Sequence, residues 1–244
     1  MPAPTVLLLL ATGVIAGFIN TVAGGGSVVS LPVLVEVVGA SVANGTNRIA
    51  ILMQNIVGSA SFHRGGKNPW RLVKAILLPT VAGAACGAWV ATQIPADVMK
   101  RIFGLVIVLV ALSVLVGPSR WIREGEPRLK EPWRSISFFG IGLYGGFIQA
   151  GVGFLLLAGL VLGSGLGLVK GNAAKVVTIL AYTPVTLFFF ATASQVDLQV
   201  GLILGVGNMT GAFVASRLAI KKGAGWIRWV LVVAAVAAAL RMVL

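Results

Sequence analysis

The chain has 244 residues, of which 58% are hydrophobic and 10% are charged. Because ordinary soluble domains carry about 25% charged residues, this composition excludes a soluble globular protein and indicates a polytopic membrane protein. The formal net charge is +13, but the basic residues stand in short loops beside tryptophans, as in membrane proteins, and form no basic domain. We therefore predict a lipid bilayer and no nucleic acid as partner.

Hydropathy, read together with glycine and proline, predicts an all-α chain with five helical pieces in each half. In the first half the pieces cover about 5–22, 27–39, 44–63, 71–92 and 98–117. In the second half they cover about 135–150, 152–164, 169–191, 198–216 and 228–243. The sequence is thus divided into a first membrane repeat (1–117), a charged cytoplasmic linker (118–134) and a second membrane repeat (135–244).

The second piece of each half is too short to cross a bilayer. Its roughly 13 residues cover about 20 Å at 1.5 Å per residue, whereas the hydrocarbon core is about 30 Å thick. We interpret each short piece as one member of a broken or re-entrant helix pair, since irregular backbone is tolerated where it lines a protein cavity. The sequence leaves open whether these pairs are re-entrant or spanning.

Loop charges predict that the two halves have inverted topology. The loop 64–74 carries four basic residues and no acid, whereas its counterpart 191–201 carries only Asp197. The next pair of loops, 93–101 and 217–228, differs weakly in the opposite sense. Because basic loops stay in the cytoplasm, we place 64–74, the linker and 217–228 there, and both termini outside.

Each half contains a glycine cluster between two apolar runs, GFINTVAGGGSVVSLPVL at 17–34 and GFIQAGVGFLLLAGLVL at 146–162. Backbone N–H groups at such a break, together with the positive end of the following helix, favour an anion. A duplicated break is also typical of a transporter substrate site. The candidate binding residues at the breaks are Asn20, Gly24, Gly25, Gly26, Ser27, Gln149, Gly151 and Gly153. The alternative is that these small residues serve only tight helix packing.

Arg48 and Lys175 occupy matching positions, each about one turn inside a predicted helix. Charges in membrane segments are costly and face a partner or an interior, and the sequence offers no acid for either, so an anionic ligand is the expected counter-charge. The alternative is snorkelling of both side chains to the interface. Asn47, Gln54 and Asn55 share the helix of Arg48 and are candidate amide donors, or contacts between helices.

Other polar residues give weaker signals. His63 stands alone at a membrane edge and has no cluster with which to bind a metal, and Glu36 is a candidate proton carrier. The sequence contains no phosphate-binding loop and no HExxH or GxSxG motif. We expect neither an enzyme nor a cofactor.

The segments 17–35, 44–66 and 145–162 resemble the TauE/SafE family of membrane permeases, the sulfite or sulfonate exporter family. The resemblance covers essentially the whole chain. It implies a carrier of the prokaryotic inner membrane for small anions such as sulfite, sulfonates and related organosulfur or carboxylated compounds.

The leading hypothesis is therefore a secondary transporter of small anions that uses alternating access around a midplane site, with protons or ions as coupling partners. A passive anion channel with the same donors is the first alternative, and a membrane scaffold whose glycines only pack helices is the second. The sequence leaves open the exact substrate, the direction of transport and whether the chain forms homo-oligomers.

Overall fold

The computed structural model describes residues 1–67, 69–115 and 128–243, and these residues form helices and connecting loops without β-strands. The helices are α1 (Ala3–Val22), α2 (Ser27–Val38), α3 (Ala40–Arg64), α4 (Trp70–Thr92), α5 (Ala96–Leu115), α6 (Trp133–Phe147), α7 (Val152–Ala158), α8 (Leu168–Thr192) and α9 (Leu198–Val243). A π-helical turn, Gly159–Gly163, follows α7 directly. The predicted all-α fold is confirmed.

Four helices in the described part of the chain are long and apolar enough to cross a membrane: Ala3–Val22, Trp70–Thr92, Leu168–Thr192 and Leu198–Gly223. The helix α2 and the segment Val152–Gly163 are shorter apolar helices. The 12 residues of α2 cover about 18 Å, so this helix alone does not span the hydrocarbon core. The chain is a multi-pass membrane protein.

One predicted loop is shorter than expected. We expected a loop at 217–228, but the helix that begins at Leu198 continues through the basic residues and is interrupted at Gly223, where φ is 72° and two helices meet at a kink. Lysine and arginine are good helix formers, so a basic run does not by itself end a helix. The linker 118–134 lies mostly outside the described residues, and the domain division remains a prediction.

Two pairs of helices pack through glycines spaced four residues apart. Gly13 and Gly17 of α1 lie against Gly207 and Gly211 of α9, so closely that a Cβ atom at any of them would meet the backbone of the other helix. The same arrangement joins α4, through Gly83 and Gly87, to α6, through Gly142 and Gly146. This small-residue spacing allows close approach of membrane helices.

Each of these two packed pairs joins a helix of one half of the chain to a helix of the other half. The first helix of the first half, α1, lies along α9 of the second half, and the first helix of the second half, α6, lies along α4 of the first half. The third helices, α3 and α8, pack on each other in the interior. Each half therefore completes its packing on the other. This reciprocity agrees with two related repeats, while the inversion of one repeat relative to the other stays a prediction.

The outer surface is apolar. Large hydrophobic side chains are exposed on several of the long helices, as expected where lipid covers the protein. Examples are Leu7, Ile15, Leu78, Trp89, Leu105, Phe188 and Val206. The polar side chains of α3 and α8, in contrast, are largely buried.

Candidate functional site

The two glycine breaks are in direct contact. The first lies between α1 and α2, where Gly24 has a φ of 96°, and the second lies between α6 and α7, where Gly151 has a φ of 73°. A Cβ atom at Gly24 would collide with the backbone of Gly153, and one at Gly153 would collide with Gly24. Glycine is required at Gly24 for both reasons, conformation and space.

The helices that follow the breaks begin without a side-chain cap. Gly26 precedes α2 and Gly151 precedes α7, and neither helix start has a capping hydrogen bond from a side chain within the described residues. Val28 N and Val29 N in α2 donate to the carbonyl oxygens of Gly25 and Gly26, and Phe154 N in α7 donates to that of Gly151. The candidate donors for a ligand are therefore the N–H groups that precede them, in the breaks themselves. The ring of Phe154 packs over Gly25.

Polar side chains of four helices lie around the first break. Ser30 of α2 donates to Asn47 Oδ1 at 2.9 Å, and Asn47 Nδ2 donates to Ser27 Oγ at 3.2 Å. In a second group, Asn20 Nδ2 and Asn208 Nδ2 both donate to Gln54 Oε1 at 3.3 Å. The structure thus brings Asn20, Ser27, Asn47 and Gln54 to the break.

Asn55 is bound to its own helix. Its Nδ2 donates to the carbonyl oxygen of Ile51 at 2.7 Å. Its Oδ1 is buried and has no hydrogen-bond partner among the residues that the structure describes. No contact given by the structure joins Asn55 to either break.

The side chain of Arg48, in the first half, contacts the end of α6 in the second half. Its Nη2 donates to the carbonyl oxygen of Gly146 at 2.6 Å, and its Nη1 donates to that of Gly145 at 3.2 Å. Longer hydrogen bonds at 3.4 Å lead to Gln149 Oε1 and Asn44 Oδ1. The guanidinium also lies 4.5 Å from the centroid of the Phe190 ring, a cation–π contact.

Lys175 makes the corresponding contact in the opposite direction. Its Nζ donates to the carbonyl oxygens of Asn20 and Thr21, at the end of α1, at 3.0 Å each. A third hydrogen bond, of 2.7 Å, leads to Asn172 Oδ1. The three hydrogens of the ammonium group thus have three acceptors.

These contacts correct one alternative for the buried cations. Arg48 and Lys175 have 0% exposure, so neither side chain snorkels to the interface. Both bind the negative end of a helix, because the last carbonyl groups of a helix lack partners within it and carry partial negative charge, and an anionic ligand as their counter-charge stays a prediction. The matching positions in the sequence reflect matching contacts in the structure.

A cluster of donors lies beside the second break. Arg48 Nε, Gln149 Nε2 and Tyr182 Oη are buried and make no hydrogen bond of good geometry within the described part of the chain, although the Gln149 side chain faces the Tyr182 hydroxyl. The three side chains converge on α6, because Arg48 binds Gly145 and Gln149 and Tyr182 Oη lies 3.0 Å from where a Cβ of Gly145 would stand. We call these three groups the donor cluster. Unsatisfied buried donors are costly, and together they suit an acceptor with several oxygens.

The sequence signalled some of these residues only indirectly. Tyr182 was absent from the predicted site, although it aligns with Asn55 of the first half. Asn172 lies three residues before Lys175, and therefore on the same helix face. Asn208 could not be found from sequence, because it comes from α9 and no motif marks it.

Two further residues are exposed. His63 is exposed at the end of α3, with its ring 6.1 Å from that of Trp70, as expected for an interfacial side chain. Glu36 in α2 is exposed as well, and no contact given by the structure joins it to the breaks.

Comparison with known proteins agrees with this architecture. The family described as Sulfite exporter TauE/SafE matches residues 9–242. A probable membrane transporter protein, ORF9, of Sinorhizobium sp. is 30% identical over 236 residues, 96% of this chain and 90% of that protein. The probable membrane transporter protein YfcA of Escherichia coli K12 is 28% identical over 237 residues, 96% of this chain and 88% of that protein. No solved structure matches the chain significantly.

The helical fold and the polar interior define a multi-pass membrane protein, and the relatives define a membrane transporter. The chain belongs to the TauE/SafE family.

Proposed function

We propose that the chain is a secondary transporter of small oxyanions, of the sulfite, sulfonate or related organosulfur class, in a prokaryotic inner membrane. It works by alternating access around the two meeting glycine breaks. The anion is bound by N–H groups of the breaks and by the surrounding amide side chains, within the positive potential of Arg48 and Lys175. Coupling uses protons or ions.

The observation that carries this proposal is the donor cluster. Three buried donors of three types, a guanidinium N–H, an amide and a phenol, lie at one break and make no hydrogen bond of good geometry among the described residues. A tetrahedral or pyramidal oxyanion offers several acceptor oxygens to such a set. A cation would be repelled by Arg48. The family description supports the same class of substrate.

The contact between the breaks favours a carrier over a passive channel. Gly24 and Gly153 touch through their backbones, so the chain is closed where the breaks meet. A carrier must close its path in this way at some stage of each cycle, whereas a channel keeps a continuous pore.

The test is uptake of labelled anion into proteoliposomes by Gln149→Leu, which removes a donor of the cluster at similar size. We expect uptake at sub-saturating sulfonate to fall about tenfold or more, because a hydrogen bond to a charged group contributes about 1.5–3 kcal/mol. The control is Gln93→Leu, the same substitution at an exposed site after α4, which should retain uptake.

Unchanged uptake of sulfite, methanesulfonate, sulfate and acetate by Gln149→Leu would contradict the proposed site. Planar-bilayer recording separates the two modes of transport. Single-channel current steps carried by the anion would show that the protein is a channel and not a carrier.

A further inference from the structure

The two buried cations make one contact twice, in opposite directions between the halves. Lys175 of α8 binds the carbonyl oxygens of the two residues before the last residue of α1. Arg48 of α3 binds the carbonyl oxygens of the two residues before the last residue of α6. Each half thus places a cation on the helix end that leads into the glycine break of the other half.

These contacts hold the breaks in place. The carbonyl groups concerned have no partner within their own helices, and a fully buried cation is costly unless it is paired. The one ion pair among the described residues, Arg134 with Glu131, lies elsewhere. Separating the halves would therefore leave two buried cations and four carbonyl groups without partners. The contact disfavours such separation in the absence of another counter-charge.

An oxyanion is such a counter-charge. Its oxygens carry formal charge and bind a guanidinium in a bidentate manner, which makes stronger hydrogen bonds than a neutral carbonyl group does. Arg48 is the cation open to this exchange, since its Nε lacks an acceptor within the described residues. All three hydrogens of Lys175, in contrast, have acceptors within 3.0 Å.

We propose that Arg48 and Lys175 form a reciprocal latch between the repeats, and that the anion opens the latch by replacing the helix-end carbonyl groups, first at Arg48. The identity of the anion rests on the proposed function. The latch makes both cations positioning residues that couple the occupancy of the site to the movement of the halves. It also gives the free carrier a closed resting state.

If the latch is present, a substitution in one half should loosen a helix end in the other half. Neutralising Lys175 in α8 should loosen the end of α1, and neutralising Arg48 in α3 should loosen the end of α6. A residue that only stabilises its own helix would loosen that helix instead. A residue that only binds the anion would leave both helix ends unchanged when no anion is present.

The experiment is hydrogen exchange of the purified full chain, measured by mass spectrometry for peptides covering 17–24 and 142–149. Lys175→Gln should raise the exchange rate of 17–24, and Arg48→Gln that of 142–149, each on the order of tenfold, a typical coupling between two sites. Lys170→Gln, at an exposed position of the same helix as Lys175, is the matched control and should change neither peptide. Lys175→Arg keeps the charge and should stay closer to the wild type.

A second experiment uses only the wild-type chain, so its outcome does not depend on whether a variant folds. Methanesulfonate should raise the exchange of 142–149 in the wild type. Exchange changes confined to the substituted helix, or a wild-type chain that takes up methanesulfonate with unchanged or slower exchange at 142–149, would overturn the latch. Absence of methanesulfonate binding and uptake would instead count against the proposed function, while the variants would still decide whether the cations hold the helix ends.

Discussion

The two tyrosines of the chain have contrasting environments near the second break. Tyr144 Oη donates to the carbonyl oxygen of Ala150 at 2.5 Å, so it fixes the backbone between α6 and α7. Tyr182 Oη is buried but has no hydrogen-bond partner among the residues described. The first hydroxyl therefore contributes to the fold, and the second is the one that we propose to bind the ligand.

This contrast gives a prediction for two matched substitutions. Tyr182→Phe removes at most a weak contact with the Gln149 side chain, so the midpoint of thermal unfolding should stay within a few degrees of the wild type or rise. The sulfonate concentration that half-saturates uptake should increase about tenfold or more. Tyr144→Phe should destabilise the chain by about 1 kcal/mol. Thermal-shift and uptake measurements on both variants test this. If Tyr182→Phe transports with unchanged affinity, its hydroxyl does not bind the anion.

At the scale of elements, the glycines of this chain divide into those that bring helices together and those with open space around them. Gly24 has positive φ and touches the other break, whereas Gly140, in the middle of α6, has nothing within 4 Å of an added Cβ among the described residues. The same substitution should therefore have opposite effects at the two positions.

Gly24→Ala should separate the breaks, because its Cβ would be strained by the positive φ and would collide with Gly153. We expect loss of transport and a destabilisation of about 1–3 kcal/mol, the range for strained backbone positions. Gly140→Ala should keep transport and stabilise α6 by about 0.5–1 kcal/mol. Uptake and thermal unfolding of both variants provide the measurement. Normal transport by Gly24→Ala would show that the observed contact of the breaks is not needed.

The positions of the helices could be predicted well from the sequence, because glycine, proline and apolar runs mark most helix ends directly. The exception is α9, where the basic residues near Arg217 predicted a loop although they also favour a helix. The positions of Arg48 and Lys175 were likewise visible as an aligned pair. Their partners were not, because backbone carbonyl groups have no sequence signature and the contacts span about half of the chain.

The partners of the helix-packing glycines could not be predicted from the sequence either. Gly13 and Gly17 could be read as a small-residue pair in α1, but nothing in the sequence pairs them with Gly207 and Gly211 rather than with another helix. That choice depends on which helices the fold brings together. The structure adds that the first helix of each half packs on the fourth helix of the other half.

At the scale of the whole molecule, helix packing and loop charge both bear on how the halves are related. Reciprocal contacts agree with a pseudo-two-fold axis between the halves, which stays a prediction: an axis along the membrane normal would make the matching helices α3 and α8 parallel, and an axis in the membrane plane would make them antiparallel. Gly45 of α3 lies against Phe190 and Gly58 against Val176, as in antiparallel helices, and the loop charges give an independent prediction. The loop that contains Lys67 is basic, and its counterpart before α9 carries Asp197 alone. The positive-inside rule then favours an axis in the membrane plane.

Single cysteines in these two loops test the inversion directly, in a chain whose only native cysteine is replaced by Cys86→Ala. Lys67→Cys reports the first loop. Ala193→Cys is better than a cysteine at Asp197 for the second, because Asp197 Oδ1 accepts a hydrogen bond from Val200 N at the start of α9, whereas Ala193 is exposed.

A membrane-impermeant maleimide should label Ala193→Cys in intact cells and Lys67→Cys only after the membrane is opened, since basic loops remain in the cytoplasm. Arg71→Cys, exposed near the start of α4, is the internal control and should behave like Lys67→Cys. Equal labelling of both loops from one side would contradict the predicted inversion. The two breaks would then enter the site from the same face of the membrane, so a midplane site formed by two helix starts that arrive from opposite faces would be contradicted as well.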